Sequence, residues 1–280
     1  MSKQHFQSGQ ASVERDRDQQ RIAIAVEYNG SQFHGWQRQS KPAVPTIQQC
    51  LEQALSTIAD HPVSLICAGR TDAGVHAVGQ IAHFDVSVSR ELKAWVKGAN
   101  SLLPSSIRVL WAQHVDQEFH ARFSAQSRRY QYWIHNGAER SGIFAGLMTH
   151  YPHPLDHQCM HDAAQSLLGE QDFTSFRALA CESPTAMRNV YAVKVFRQRE
   201  RICIDIEANA FLLHMVRNIS GSLIEIGAKR QPVSWLQSLL AAKDRSLAAA
   251  TARPDGLYLM AVSYPPELVV SSSIPSIFGQ

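Results

Sequence analysis

Residues 63–86 read VSLICAGRTDAGVHAVGQIAHFDV. The order of strands and loops in this stretch indicates the fold class. Two apolar segments, 63–67 and 80–86, have the character of short strands. The residues between them contain three glycines and show no periodicity, which predicts a loop. A strand thus follows a strand here without the helix that a parallel βαβ unit would place between them.

The rest of the chain continues this mixed order of strands and helices. The patterns predict strands at 21–28, 107–115, 128–135, 189–196, 202–208 and 256–264. They predict helices at 46–59, 90–102, 156–168, 210–227 and 235–242. Because strict strand–helix alternation is absent, we predict an α+β fold with mostly antiparallel sheets.

The chain divides near residues 116–126 into two halves of similar make-up. We predict an N-terminal α/β half at 21–118, which carries the glycine-rich loop, and a C-terminal α/β half at 119–264. Residues 1–20 are polar and are expected to form a disordered tail. Residues 265–280 are rich in proline and serine and are expected to form a loosely held C-terminal tail.

Composition restricts the class of protein. Of the 280 residues, 45% are hydrophobic and 18% are charged, which is typical of a soluble globular chain. No apolar run reaches the about 18 residues that a membrane span needs, and the polar N-terminus is no secretory signal. We therefore expect a cytoplasmic protein without membrane association. Five cysteines without a C-x-x-C pair argue against a disulfide framework or a structural zinc site.

The basic residues are mostly arginine. The formal net charge is only +3, but 20 of the 27 basic residues are arginines. A guanidinium is planar, binds phosphate with two parallel hydrogen bonds and stacks on flat rings. This favours a nucleic-acid partner. An arginine-rich coding composition explains the same count equally well.

Residues 69–76 (GRTDAGVH) carry the strongest candidate for chemistry. Asp72 is the only carboxylate of this loop, and a carboxylate can act as a nucleophile or as a base. The small residues around it would allow a base or a phosphate to approach closely. In the alternative interpretation, Asp72 is a turn or cap residue with Arg70 as its ion-pair partner.

Two further clusters also contain residues suited to nucleic-acid binding or catalysis. In residues 119–123 (FHARF) and 128–132 (RRYQY), basic and aromatic residues interleave, which suits base stacking and phosphate contact. An ordinary strand with aromatic residues inside and arginines outside would look alike. Arg217 lies in an apolar helical segment and needs a partner, for which Asp72 is a candidate. The alternative is an ion pair of structural value only.

Motifs for other chemistries are absent from the sequence. It contains neither a phosphate-binding G-x-x-x-x-G-K-[ST] loop nor a G-x-G-x-x-G helix start, and neither H-E-x-x-H nor G-x-S-x-G. The histidines at 150, 153, 157 and 161 surround two prolines and offer at most two ligands on one helical face. We predict no metal site.

Taken together, these motifs resemble those of one family, the TruA-type tRNA pseudouridine synthases. The resemblance extends from about residue 21 to about residue 264. It rests on GRTDAGVH at 69–76, FHARF at 119–123, RY at 129–130, DFTSF at 172–176 and FLLHMVRN at 211–218. It implies the pseudouridine synthase fold, in which two similar halves with antiparallel sheets join around a central cleft.

The resemblance also implies an activity and a set of site residues. The family isomerises uridine to pseudouridine at positions 38, 39 and 40 in the anticodon stem-loop of tRNA, as a homodimer without cofactor or metal. By matching motif positions, Asp72 is the catalytic aspartate and Arg217 is its ion-pair partner. The substrate-binding positions that it implies are Tyr130, Arg70, Arg90, Phe119, His120, Ala121, Arg122 and Phe123.

Two other function classes remain open at the level of sequence. A nucleic-acid N-glycosidase would also use an aspartate in an arginine-rich cleft, but it would release free uracil. A non-catalytic tRNA-binding module could keep the fold without the chemistry, and its activity would not depend on Asp72.

Overall fold

The structure is a computed structural model that describes residues 19–39 and 43–268. Nearly all of the predicted tail at 1–20 and most of the predicted tail at 265–280 therefore lie outside the described residues. Within the described part of the chain, no helix combines the length and the apolar character that crossing a membrane requires.

Strands dominate the structure, and the helices are short. The strands are β1 (Gln20–Tyr28), β2 (Ile66–Cys67), β3 (His76–Val86), β4 (Ile107–Val115), β5 (Ser127–His135), β6 (Thr149–His150), β7 (Gly169–Asp172), β8 (Met187–Gln198), β9 (Arg201–Ala208) and β10 (Leu257–Ser263). The α-helices are α1 (Ile47–Ala59), α2 (Ala99–Leu102), α3 (His157–Ala164), α4 (Met215–Gly227) and α5 (Trp235–Ala242). A π-helical stretch, Ala94–Gly98, leads directly into α2.

The strands form one large sheet in the order β4-β1-β3-β10-β5-β9-β8-β7, with β2 pairing with β3 and β6 with β5. Most neighbours are antiparallel. The parallel pairs are β3 with β10 and β5 with β6, and each is joined by two residue pairs. The α+β prediction with mostly antiparallel strands is confirmed.

The last strand lies in the middle of this sheet. On one side of β10 lie the early strands β3, β1 and β4, and on the other side lie β5, β9, β8 and β7. β10 is antiparallel to β5 along most of its length and touches β3 through Tyr258 opposite His76 and Leu259 opposite Ala77. The division into halves at 118/119 remains a prediction, but the C-terminal strand is the element that joins the early strands to the later ones.

The helices pack on one face of the sheet. Ile22, Ile24 and Val26 of β1 point into the large core, to which all five helices contribute. The intervening residues Ala23 and Ala25 face the other side of the sheet. They are buried as well, because the chain after β4 folds back across them.

Several element boundaries differ from their prediction. The helix at 47–59 begins after Thr46 as predicted, and the Thr46 hydroxyl accepts a hydrogen bond from the Gln49 N–H. The helix predicted at 210–227, however, begins only at Met215. His214 has a left-handed backbone (φ 61°, ψ 7°), which no right-handed helix can continue through. β3 begins at His76 rather than at residue 80, because His76 already pairs with β10.

A tight turn after β1 supports the glycine-rich loop. The Gly30 N–H donates to Nδ1 of His76 at 3.1 Å. A Cβ atom at Gly30 would lie 1.9 Å from the carbonyl oxygen of Val75. No side chain fits this contact, so a glycine here lets the turn touch the loop directly.

Replacing Gly30 with alanine is therefore expected to lower the free energy of unfolding by about 1–3 kcal/mol, because the backbone of the turn or of the loop must move. Gly142→Ala is the matched control, since a Cβ there meets nothing within 4 Å. Its expected effect is within about 0.5 kcal/mol. Urea unfolding measures both. Equal stability of the two variants would show that the turn can move away from Val75 without cost.

Candidate active site

The loop between β2 and β3 is held by hydrogen bonds on both sides of Asp72. The Gln80 side chain bonds both backbone groups of Gly69, donating to its carbonyl at 2.6 Å and accepting its N–H at 3.3 Å. The Thr71 carbonyl accepts the Trp36 N–H at 3.0 Å. The Thr71 hydroxyl shares a hydrogen bond with the buried Tyr28 hydroxyl at 2.8 Å. These contacts fix the backbone on which Asp72 stands.

Two glycines let the chain approach Asp72 closely. The Val75 N–H donates to the Asp72 carbonyl at 3.1 Å and closes a turn that contains Gly74, whose φ is +79°. Gly35 has φ +85°, and a Cβ there would lie 2.6 Å from the Thr71 carbonyl oxygen. Both positions combine a left-handed backbone with close packing, which favours glycine.

The Asp72 carboxylate meets two basic side chains from the start of α4. Nη1 of Arg217 donates to Oδ2 of Asp72 at 3.0 Å, and Nε2 of His214 lies 3.4 Å from the same oxygen. Nε of Arg217 donates to the Ala252 carbonyl at 2.8 Å, which fixes the guanidinium. The side chains of Asp72 and Arg217 are 26% and 14% exposed, so the pair is partly shielded from water. The structure thus brings together the predicted pair.

Asp72 lines a cavity of about 790 Å³. Tyr130 of β5 forms part of its wall and packs edge-on against Phe211, with ring centroids 5.0 Å apart. Burial raises the pKa of the Tyr130 hydroxyl, and the negative charge of Asp72 raises it further. The Tyr130 hydroxyl therefore stays neutral and presents a flat, largely apolar ring to the cavity.

Positive charge dominates the cavity wall. Its arginines are Arg70, Arg122, Arg128 and Arg188. Of the described residues that line it, Asp72 and Glu182 carry the carboxylates, and Glu182 is exposed. Such a cavity attracts polyanions, and its guanidinium groups suit phosphate. Within residues 19–39 and 43–268, no three His, Cys, Asp or Glu side chains lie together as a metal site requires.

A family model described as tRNA pseudouridine synthase matches residues 24–124 and 163–265. The chain belongs to this family.

Relatives of the same description cover most of this family member. A tRNA pseudouridine synthase A of Shewanella loihica is 57% identical over 245 residues, which span 88% of this chain and 93% of the relative. One of Photorhabdus laumondii is 55% identical, spanning 88% and 92%. One of Pectobacterium atrosepticum is 53% identical over 255 residues, spanning 91% and 89%.

A solved structure, that of the archaeal box H/ACA sRNP Nop10–Cbf5 complex, aligns with 72% of this chain and 44% of the solved chain. The TM-score is 0.33 and the sequence identity is 9%. So weak a likeness supports no inference.

Not all predicted site residues of this pseudouridine synthase family member lie at the cavity. Arg70, Arg122 and Tyr130 line it together with Asp72. Arg90 does not. It is exposed on another part of the surface, where its Nε donates to the Ile58 carbonyl near the end of α1 at 3.4 Å.

Residues 119–123 divide into a buried and an exposed set. Phe119 and Ala121 are completely buried, so their side chains serve packing and offer no surface for RNA. Phe123 is 76% exposed and stacks against His120, with centroids 4.3 Å apart. The Arg122 guanidinium lies 5.6 Å from the Phe123 ring. Any side-chain contact from this segment would come from these three exposed or half-buried residues.

His83 of β3 contacts residues 119–123 and holds them in place. Its Nδ1 accepts the Ala121 N–H at 3.1 Å, and its ring packs against Phe119 and His120. Burial lowers the pKa of His83 to about 4, and the charges of Arg21 and His120 act in the same direction. A neutral His83 is therefore part of the folded state.

Arg128, which belongs to the RRYQY cluster of the sequence, is a buried residue of the cavity wall. Its guanidinium donates to the carbonyls of Ala68, Arg122, Ala125 and Asn209 at 2.6–3.1 Å. The alternation of side chains along a strand is the sequence signal for this burial. Arg128 and Tyr130 are two residues apart, so their side chains must lie on the same face. The alternative interpretation of RRYQY, an ordinary strand with its arginines outside, is wrong for Arg128.

Arg128 thus links the Asp72 loop, the 122–125 turn and the end of β9. Arg128→Lys is expected to lower the free energy of unfolding by about 1–3 kcal/mol, because an ammonium cannot serve all four carbonyls. The control is Arg230→Lys, which changes an exposed ion pair with Glu225 and is expected to cost less than about 1 kcal/mol. Denaturant unfolding compares them. An Arg128→Lys variant as stable as the control would disprove the linking role.

The lowered pKa of His83 predicts a pH dependence. The folded protein keeps His83 neutral down to about pH 4, whereas the unfolded chain binds a proton below its ordinary pKa of 6.5. Stability is therefore lost as the pH falls through that interval. His83→Asn keeps an acceptor for the Ala121 N–H but cannot titrate. Between pH 7 and pH 5, the unfolding free energy of the wild type should fall by about 2 kcal/mol more than that of the variant. Parallel pH profiles would contradict a buried neutral His83.

Proposed function

We propose that this protein isomerises uridine to pseudouridine at positions 38, 39 and 40 in the anticodon stem-loop of tRNA, with Asp72 as the catalytic carboxylate. One observation carries the proposal. In a chain of the tRNA pseudouridine synthase family, Asp72 lies in an arginine-lined cavity with Arg217 bonded to its Oδ2.

The reaction explains why a cavity is needed. The N1–C1′ bond of the nucleotide breaks, the uracil turns within the site, and C5 bonds to C1′. The base must first leave its stack, which costs a few kcal/mol. The detached uracil must then be retained and water excluded, because water would otherwise add to C1′ and leave an abasic nucleotide. A cavity of about 790 Å³ holds one nucleoside with room to turn.

We assign the surrounding residues to positioning the flipped nucleotide. Arg217 holds the Asp72 carboxylate in place through the hydrogen bond from its Nη1 to Oδ2. Tyr130 would stack on the base, and Arg70, at the edge of the cavity, would occupy the gap that the base leaves. Asp72 itself can attack C6 of the base, attack C1′ of the ribose or remove the C2′ proton. All three routes use the same carboxylate.

The remaining assignments concern the part of tRNA outside the cavity. His120, Arg122 and Phe123 form an exposed basic and aromatic patch that would contact the stem-loop by stacking and phosphate pairing. A role for Phe119 and Ala121 would be to hold this patch. Arg90 would contact phosphates at a distance, since a tRNA is far larger than the cavity. We further propose that the protein acts in the cytoplasm as a homodimer.

Asp72→Asn is expected to abolish pseudouridine formation and leave tRNA binding largely intact, because the variant loses the reactive carboxylate but keeps its size. The test incubates an unmodified tRNA transcript with uridines at 38–40, then maps pseudouridine by carbodiimide treatment and primer extension. Asp162→Asn is the control, since Asp162 is an exposed residue of α3 whose side chain accepts a hydrogen bond from the Gln158 side chain.

The outcomes separate the competing functions. Stops at 38–40 with the wild type and the control, but not with Asp72→Asn, support the proposal in full. Stops at other uridines would overturn the position assignment and leave the isomerisation. Free uracil would establish an N-glycosidase instead. Binding without stops in any variant would indicate a non-catalytic RNA-binding module.

A further inference from the structure

His214 presents its ring to the carboxylate that the proposed reaction uses. It immediately precedes α4 and has a left-handed backbone, and His214 and Arg217 both reach Oδ2 of Asp72. Nε2 lies 3.4 Å from Oδ2 of Asp72, and the residue lines the cavity.

In the part of the chain that the structure describes, no capping role explains this placement of the ring. A residue at the start of a helix commonly caps it, but the His214 side chain makes no capping hydrogen bond to α4. The ring is 34% exposed, and it borders the cavity on the side of Asp72. Asn and His tolerate the left-handed conformation better than most residues do.

Pseudouridine formation needs a proton transfer in addition to the breaking of the glycosidic bond. Once C5 has bonded to C1′, C5 still holds its hydrogen and a double bond joins C6 to N1. The C5 proton must leave, its electron pair forms the C5–C6 double bond, and the C6–N1 pair moves to N1, which takes up a proton. The net change is the transfer of one proton from C5 to N1.

We propose that His214 carries this proton, with Nε2 accepting it from C5 and returning it to N1. The inference rests on the proposed function. The uracil must sit against Asp72 to react, so its C5 lies in the space that Nε2 borders. Imidazole is the side chain whose ordinary pKa lies closest to neutrality, so it can both accept and release a proton.

The other groups of the cavity are less suited to this step. Burial raises the pKa of Cys67 to about 12 and also raises the pKa of Tyr130, so both stay protonated at neutral pH. A carboxylate is ordinarily a weaker base than imidazole by about two pKa units.

Two further ionisable groups line the wall. The Cys181 sulfur already accepts the Leu213 N–H at 3.5 Å. Glu182 is exposed, and among the described residues the side chains in contact with the Asp72 carboxylate are those of His214 and Arg217.

The test compares uridine with [5-²H]uridine in the tRNA transcript, in single turnovers with enzyme in excess. His214→Asn is the variant, because asparagine tolerates the left-handed backbone but has no basic nitrogen. His153→Asn, at an exposed position outside the cavity, is the matched control. We expect His214→Asn to slow product formation about 100-fold or more. We also expect a slower rate for the deuterated substrate than for the ordinary one, beyond any difference that the wild type shows. Binding of tRNA should stay near that of the wild type.

Each result decides the inference. A rate for His214→Asn close to that of the control would overturn it. So would a slowed reaction in which both substrates react equally, because a residue that only positions Asp72 slows bond cleavage and not C5 deprotonation. If the variant fails to bind tRNA, His214→Gln replaces it and is judged by the same isotope comparison. A wild type that makes no pseudouridine would refute the proposed function itself, a result distinct from an active wild type with an isotope-insensitive variant.

Discussion

The ion pair between Asp72 and Arg217 is the contact on which the geometry of the cavity depends. The two residues are 145 positions apart in the chain, and their side chains meet at 3.0 Å. Because both side chains are only partly exposed to water, each charge depends on the other for its stabilisation. The loop that carries Asp72 and the helix that carries Arg217 must therefore each be held accurately by its own surroundings.

The C-terminal strand supplies much of that accuracy. β10 pairs with β3, which begins four residues after Asp72, and with β5, which carries Tyr130. Just before β10, the Ala252 carbonyl accepts a hydrogen bond from Nε of Arg217, and the Ala252 N–H donates to the Arg217 carbonyl. One stretch near the end of the chain thus contacts the strand after the loop, the strand of Tyr130 and the arginine itself.

Arginine serves two physical purposes around the cavity. The Arg128 guanidinium is buried and saturated by four backbone carbonyls, so it works as a cross-link between segments. Arg70 and Arg122 are exposed at the cavity, where a guanidinium can meet phosphate. The arginine count of the sequence includes both kinds of arginine. Only the partners of each side chain in the structure distinguish a buried cross-link from an arginine that can bind phosphate.

The sequence by itself determined the features that depend on near neighbours. The cap at Thr46 and the apolar spacing after it define α1, the glycines at 69 and 74 define the loop of Asp72, and the mixed order of elements defines the α+β class. Its motifs also single out Asp72 and Arg217 as partners.

Only the tertiary structure decided which side chains meet. It buries Phe119 and Ala121, turns Arg128 inward, leaves Arg90 away from the cavity and places His214 beside Asp72. The reason is physical: backbone preferences act over a few residues, whereas burial and charge pairing are set by segments that lie tens to hundreds of positions apart.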